Sequence, residues 1–202
     1  MDKLELTTGR LERNVEENGE TLIQISLQHP QLAGDDMCLT QQAENLAAAL
    51  TQTMRSEAQA AVNMLPEALP YQLSGTFTPT YNVGGVLSYF TDIFLYAGGM
   101  RGITYRYGSS FRVTDRQLAP LFLSTLFPAE TDICTRVCDF ITERHGVHAD
   151  SVRTAFSPVN TYLTDTGLAV FFQPGVLGPV AGGISVFTIP YHEAGPFLPS
   201  GI

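Results

Sequence analysis

The side chains whose type and placement could do chemistry are four histidines, three cysteines and one carboxylate, Asp92, set inside an apolar run. A histidine beside a carboxylate can make a hydrolytic dyad, and a pair of cysteines can hold half a metal or redox site. Each arrangement has a plainer reading here. His145 and His148 flank Gly146 at the end of a predicted helix, where the dipole favours a cationic side chain. His29 before Pro30, and His192-Glu193 after the last strand, read as surface residues. A dyad built from either lacks a partner that the sequence can place. Cys134 and Cys138 stand four apart on a predicted helix and so share a face, but no second Cys/His pair at ligand spacing joins them. Buried structural thiols fit them better. Asp92 would need hydrogen bonds or a cation such as Arg106 if buried, and a structural pair of that kind is preferred to a catalytic acid. No glycine-rich phosphate loop, nucleophile elbow, His-Glu-x-x-His helix or cysteine knuckle occurs. The expectation is a protein that is not an enzyme and takes no cofactor or metal. A hydrolase-type enzyme with a site near the glycine-rich loops is the alternative.

Two glycine doublets supply the candidate binding positions. Gly98-Gly99 ends one predicted strand and Gly182-Gly183 opens another. Glycine at a strand end permits positive φ, a bulge or close approach of another backbone. If those strands are neighbours, Gly98, Gly99, Met100 and Arg101 lie at the same end of the sheet as Gly182 and Gly183. Such a rim could bind a peptide or a glycan, and the competing reading is two sharp turns required by the fold.

The elements that must position these residues are mostly strands. Thr161–Gln173 reads as a hairpin around Asp165-Thr166-Gly167, and Gly182–Pro190 as a further strand. Leu168–Phe172 is apolar throughout, so both its faces should be covered. Lys3–Arg13 and Glu20–Leu27 read as strands joined at Asn18-Gly19, with His29-Pro30 breaking the second. Leu39–Leu65 carries a helical stripe of Leu39, Ala43, Leu46, Leu50, Met54, Ala58, Ala61 and Leu65, stopped by Pro66. Strands follow over Tyr71–Thr80, Leu87–Ala97 and Gly102–Val113, the middle one apolar on both faces and therefore central. A second helix is expected with Pro128 at its first position, Glu130 and Asp132 in its first turn, Gly146 at its cap, and Ile133, Val137, Phe140 and Ile141 as its buried stripe. The fold class expected is α+β: a single domain, residues 1–193, with a mainly antiparallel sheet and two main helices packed on it. Residues 194–202 form a Pro/Gly-rich C-terminal arm with Phe197 and Leu198. The apolar runs Tyr89–Leu95 and Leu168–Phe172 are expected to share one scaffold.

With 202 residues, 44% of them hydrophobic and 10% aromatic, the chain can bury a sizeable core. A formal charge of −9, without a dense basic cluster, argues against nucleic acid. Arg101, Arg106 and Arg112 make no basic stripe. No stretch is long and apolar enough for a membrane span, and the N-terminus lacks an export pattern. An odd number of cysteines suits a reducing compartment. The expectation is therefore cytoplasmic, or extracytoplasmic if an upstream anchor has been removed.

The order Pro30-Gln31-Leu32, a long helix, Leu87-Ser88, Tyr96-x-Gly98-Gly99, the cluster Leu123–Phe127, Phe171-Phe172-Gln173-Pro174 and Ala181-Gly182-Gly183-Ile184 through Ile189-Pro190 resembles the bacterial RsiV-like family of domains of unknown function. The similarity spans residues 5–191. It implies a sensor module, in that family the lysozyme-recognising part of a membrane-anchored anti-sigma factor, also found ahead of peptidoglycan deacetylase domains. The chain departs from the family where Gly-Gly-Ala-His is replaced by Gly98-Gly99-Met100-Arg101, and where Gly178-Pro179-Val180-Ala181-Gly182 stands for Ala-Pro-Tyr-Ala-x-Gly. The reading that follows is a non-catalytic binding or sensing module for an unknown protein or cell-wall-related ligand. A homo-oligomer joined through strand edges or the C-terminal arm is also in play.

Overall fold

The structure is a computed structural model that describes residues 3–33, 38–99, 101–114, 117–127 and 131–194. Its elements are β1 Leu6–Glu17, β2 Glu20–Leu32, α1 Cys38–Met64, β3 Tyr71–Val83, β4 Val86–Tyr96, β5 Ile103–Thr114, β6 Gln117–Pro120, α2 Leu123–Leu126, α3 Ile133–His145, α4 Ala149–Ala155, β7 Thr161–Leu163, β8 Gly167–Phe172, β9 Ser185–Pro190 and α5 Tyr191–Ala194. Strands β1 to β6 form one sheet in chain order, and β7, β8 and β9 a second. The expectation of one sheet under two main helices is corrected on three counts: among the described residues there are two sheets and five α-helices, and β2 pairs with β3 in parallel. The parallel pair follows from α1, which carries the chain back along the sheet before β3 begins. The arm proposed for 194–202 lies outside the described residues beyond Ala194, as do Pro128 and Glu130.

Two compact units are distinguished. One contains residues 5–77 and 91–105, and the other, among the described residues, 3–4, 78–90 and 106–194.

In the first unit β1 and β2 meet at Asn18-Gly19, both with positive φ, the geometry of the two-residue hairpin turn that Asn-Gly favours. Strand β2 does not stop at His29-Pro30 but pairs with β1 as far as Leu32. Its parallel pairing with β3 spans only Ile23–Leu27, so Pro30, which lacks an N–H, sits where one side of β2 has no ladder to lose. Alternation buries Ile23, Ile25 and Leu27, together with Leu73 of β3, on one face. Helix α1 packs on β2 with Ala47, Met54, Ala58 and Ala61 buried. That stripe is narrower than the expected one: Leu65 lies past the helix and is exposed. Alanines at the contact let the helix approach the strand closely. Gly75 is required here, because a Cβ on it would press on Ile93 Cδ1 at 2.5 Å and Leu27 Cδ2 at 2.9 Å.

In the second unit every residue of β8 is buried, as its apolar run predicts. Leu168, Val170 and Phe172 join a cluster with Val137, Cys138 and Ile141 of α3 and Val152 of α4. Ala169 and Phe171 face the other way, with Tyr162 of β7 and Phe90 of β4. Asp132 caps α3 by accepting from the Thr135 amide at 3.1 Å, and Gly146 ends it in the left-handed conformation. Hydrogen bonds from Thr135 hold the Asp132 carboxyl below its ordinary pKa. The β7–β8 connection is fixed by Thr164, whose Oγ1 accepts from the Gly167 amide at 3.0 Å. The short elements β6 and α4 are absent from the sequence expectation. Four and seven residues carry too little periodicity to stand out.

Candidate functional site

An open polar face is formed by β1, β2 and β3 on the side opposite the buried one. Register sets Asn14 beside Gln24 and Gln24 beside Gln72, then Glu12 beside Ser26 and Ser26 beside Ser74. Directly paired residues on neighbouring strands point to the same side with about 5 Å between Cβ atoms. All six are exposed. They form two parallel rows of three, one wholly of amides and one of a carboxylate and two hydroxyls. A shallow groove of about 370 Å³ lies along them and is also bordered by Arg13. The face offers many donors and acceptors and little charge, so chemically it can bind and orient.

Gly75 meeting Ile93 places Ile93 on the buried face, so alternation turns Asp92 and Phe94 to the open one. Phe94 lies over Gly102, where any side chain would collide with its ring. Asp92 is half-buried.

The candidate glycine positions divide. Gly98 has a φ of +72° and is backed by Ala68, so the fold itself demands glycine there. Gly99 meets nothing within 4 Å and Arg101 is exposed; Met100 lies outside the described residues. Gly182 ends a short 3-10 turn, Gly183 follows with a φ of +73°, and both face open space. The condition that would have set the two loops side by side is not met, because β4 belongs to the six-stranded sheet and β9 to the three-stranded one.

His29 is the clearest departure from expectation. It is 4% exposed, and its Nδ1 donates to the Pro30 carbonyl at 3.1 Å. Gly9 pairs with it across the strands, and a side chain at Gly9 would collide with the imidazole. The ring fills the space the glycine leaves, a packing role. His145 lies against the rings of Phe140 and Phe187, with centroids at 5.8 and 4.9 Å. His148 and His192 are exposed and face the carboxylates of Asp150 and Glu193 at 4.0 and 3.6 Å. Burial and the neighbouring Cys134 push the Cys138 thiol pKa up, so it is held as an unreactive thiol. Among the described residues no cluster of three or more His, Cys, Asp or Glu side chains could hold a metal. No helix among them is long and apolar enough to cross a membrane.

Several motif residues have structural work that the sequence did not disclose. Buried Ser88 bridges three places: its Oγ accepts from the Leu163 amide at 2.9 Å, donates to the Ser109 carbonyl at 3.2 Å and meets Ser110 Oγ at 2.8 Å. Gln173 clasps the backbone of Arg106, accepting its N–H at 3.0 Å and donating to its carbonyl at 2.6 Å. The Arg106 guanidinium sits 3.6 Å over the Phe90 ring and donates to Tyr162 Oη at 3.2 Å. The rows on β1–β3 are formed by residues from three separate segments of the chain. The alternating polar residues of Tyr71–Thr80 were their one signal, and the parallel partner across α1 was not legible.

The profile of a family described as a protein of unknown function, DUF3298, matches residues 138–192. No curated protein matches the chain. A solved member of the DUF3298 family from Bacteroides fragilis is similar with a TM-score of 0.64 and 15% identity, over 98% of this chain and 94% of that one. A DUF3298 family protein from Pseudomonas aeruginosa is similar with a TM-score of 0.61 and 14% identity, over 99% and 96%. At such identities the likeness speaks for the fold: this chain folds as those two proteins do.

Proposed function

We propose that the protein is a non-catalytic binding module, of the sensor type that the RsiV-like resemblance implies, and that its ligand is a neutral, polyhydroxylated chain such as a cell-wall glycan. The observation that carries this reading is the pair of three-residue rows on β1–β3. Amides and hydroxyls at strand spacing match the repeating hydroxyl and acetamido groups of an extended saccharide, while a net charge of −9 disfavours anionic polymers. Of the glycine-loop positions, Gly99 and Arg101 are open to such a ligand from the β4–β5 connection.

Titration calorimetry with tetra-N-acetylchitotetraose tests the reading. The wild-type chain is expected to give saturable binding, and the triple variant Asn14→Ala, Gln24→Ala, Gln72→Ala to lose about tenfold in affinity, about 1.4 kcal/mol, without a change in melting temperature. No heat at about 1 mM saccharide, or equal affinity in the variant, refutes it.

A further inference from the structure

The two edges of the three-stranded sheet are treated differently. On the β7 side Ser88 Oγ takes the Leu163 amide, and Gly108 lies so close to the Thr161 carbonyl that no side chain fits between them. That edge is sealed. On the β9 side all six residues pair inward with β8, and among the described residues no strand lies beyond. Alternate N–H and C=O groups of β9 therefore point outward along an edge.

Exposed edges are normally blunted by lysine, a bulge, an interior proline or very short length. β9 has six residues in unbroken register and no charge, and its proline comes last. The uncharged stretch runs from Thr166 to Tyr191 in a chain of net charge −9. Val186 on its outer face is 39% exposed, and Val176 and Val180 of the preceding loop are exposed as well.

We infer that β9 is a pairing edge whose occupant is β9 of a second copy of this chain, antiparallel across a two-fold axis. Self-pairing is the occupant the strand's own sequence fits. Centred on Phe187, the two-fold sets Val186 of each strand against Thr188 of the other, giving two identical β-branched pairs with no like charges opposed. A charged partner would find nothing complementary along this edge. The inference is independent of the glycan reading, which rests on a different sheet.

Sedimentation equilibrium of the full chain, with amide hydrogen exchange over the same concentrations, tests it. The expected result is a reversible monomer–dimer equilibrium below about 100 µM, with the β9 amides protected more as concentration rises. Val186→Lys with Thr188→Lys should weaken the dimer at least about tenfold and leave the monomer's melting temperature unchanged. A monomer at every concentration overturns the inference, and slow β9 amides in that monomer would mean the chain covers its own edge. So does a dimer that the double variant leaves intact.

Discussion

Strands β2 and β8 are both rich in apolar residues, yet between Ile23 and Leu27 β2 is covered on a single face, whereas β8 is covered on both. In β2, Gln24 and Ser26 alternate with buried Ile23, Ile25 and Leu27, and α1 covers only the buried side. In β8, from Gly167 to Phe172, helix α3 takes Leu168, Val170 and Phe172 while Tyr162 and Phe90 take Ala169 and Phe171. A strand enclosed on both faces can only hold the core together. A strand with one open polar face is where a binding surface can be built without sacrificing packing, and His29, the one histidine or cysteine on β2, is buried against Gly9.

The sharpest way to break this comparison is to truncate one residue on each strand. Phe171→Ala removes a fully buried ring and should cost about 3–5 kcal/mol in denaturant unfolding, whereas Gln24→Ala should stay within about 0.5 kcal/mol. Similar losses at the two positions would mean that β8 is not the more deeply packed strand. A smaller effect is expected where β7 is sealed. Ser88→Ala leaves the buried Leu163 amide without its acceptor and should destabilise by about 1–3 kcal/mol; a neutral result would show that the edge is closed by other means. Among the substitutions expected to destabilise, the mildest is at Tyr191, whose hydroxyl donates to the Thr164 carbonyl at 2.6 Å beside the β7–β8 turn. Tyr191→Phe should cost about 1 kcal/mol.

Tyr191 also carries a pH signature. Burial pushes its pKa above the ordinary phenol value, so the folded state holds the proton more tightly than the unfolded chain. Its contribution is therefore complete below pH about 10 and declines at higher pH, where the unfolded chain ionises first. Stability of the wild type should fall on the alkaline side more steeply than that of Tyr191→Phe; parallel curves would show the hydroxyl to be solvated.

Much of the fold was legible. Asn18-Gly19, the apolar run of β8, Asp132 before α3 and Gly146 after it are local signals, and each element stands near where those signals put it. The second sheet and the parallel β2–β3 pair were hidden, since strand partners are chosen by packing across long sequence separations. His29 illustrates the limit. A histidine before a proline reads as surface, and it is buried because Gly9 on the paired strand leaves a ring-sized gap.

What the sequence determined by itself was the type of each element and which of its faces is apolar, because these depend on periodicity and on residues that cap or turn the backbone within a few positions. Only the tertiary structure decided which strands became neighbours, and with them the rows Asn14–Gln24–Gln72 and Glu12–Ser26–Ser74 and the contrast between a sealed and an open sheet edge. The physical reason is that a row across three strands exists only through register, and register is fixed by burying the opposite face against α1, a contact between segments far apart in the chain.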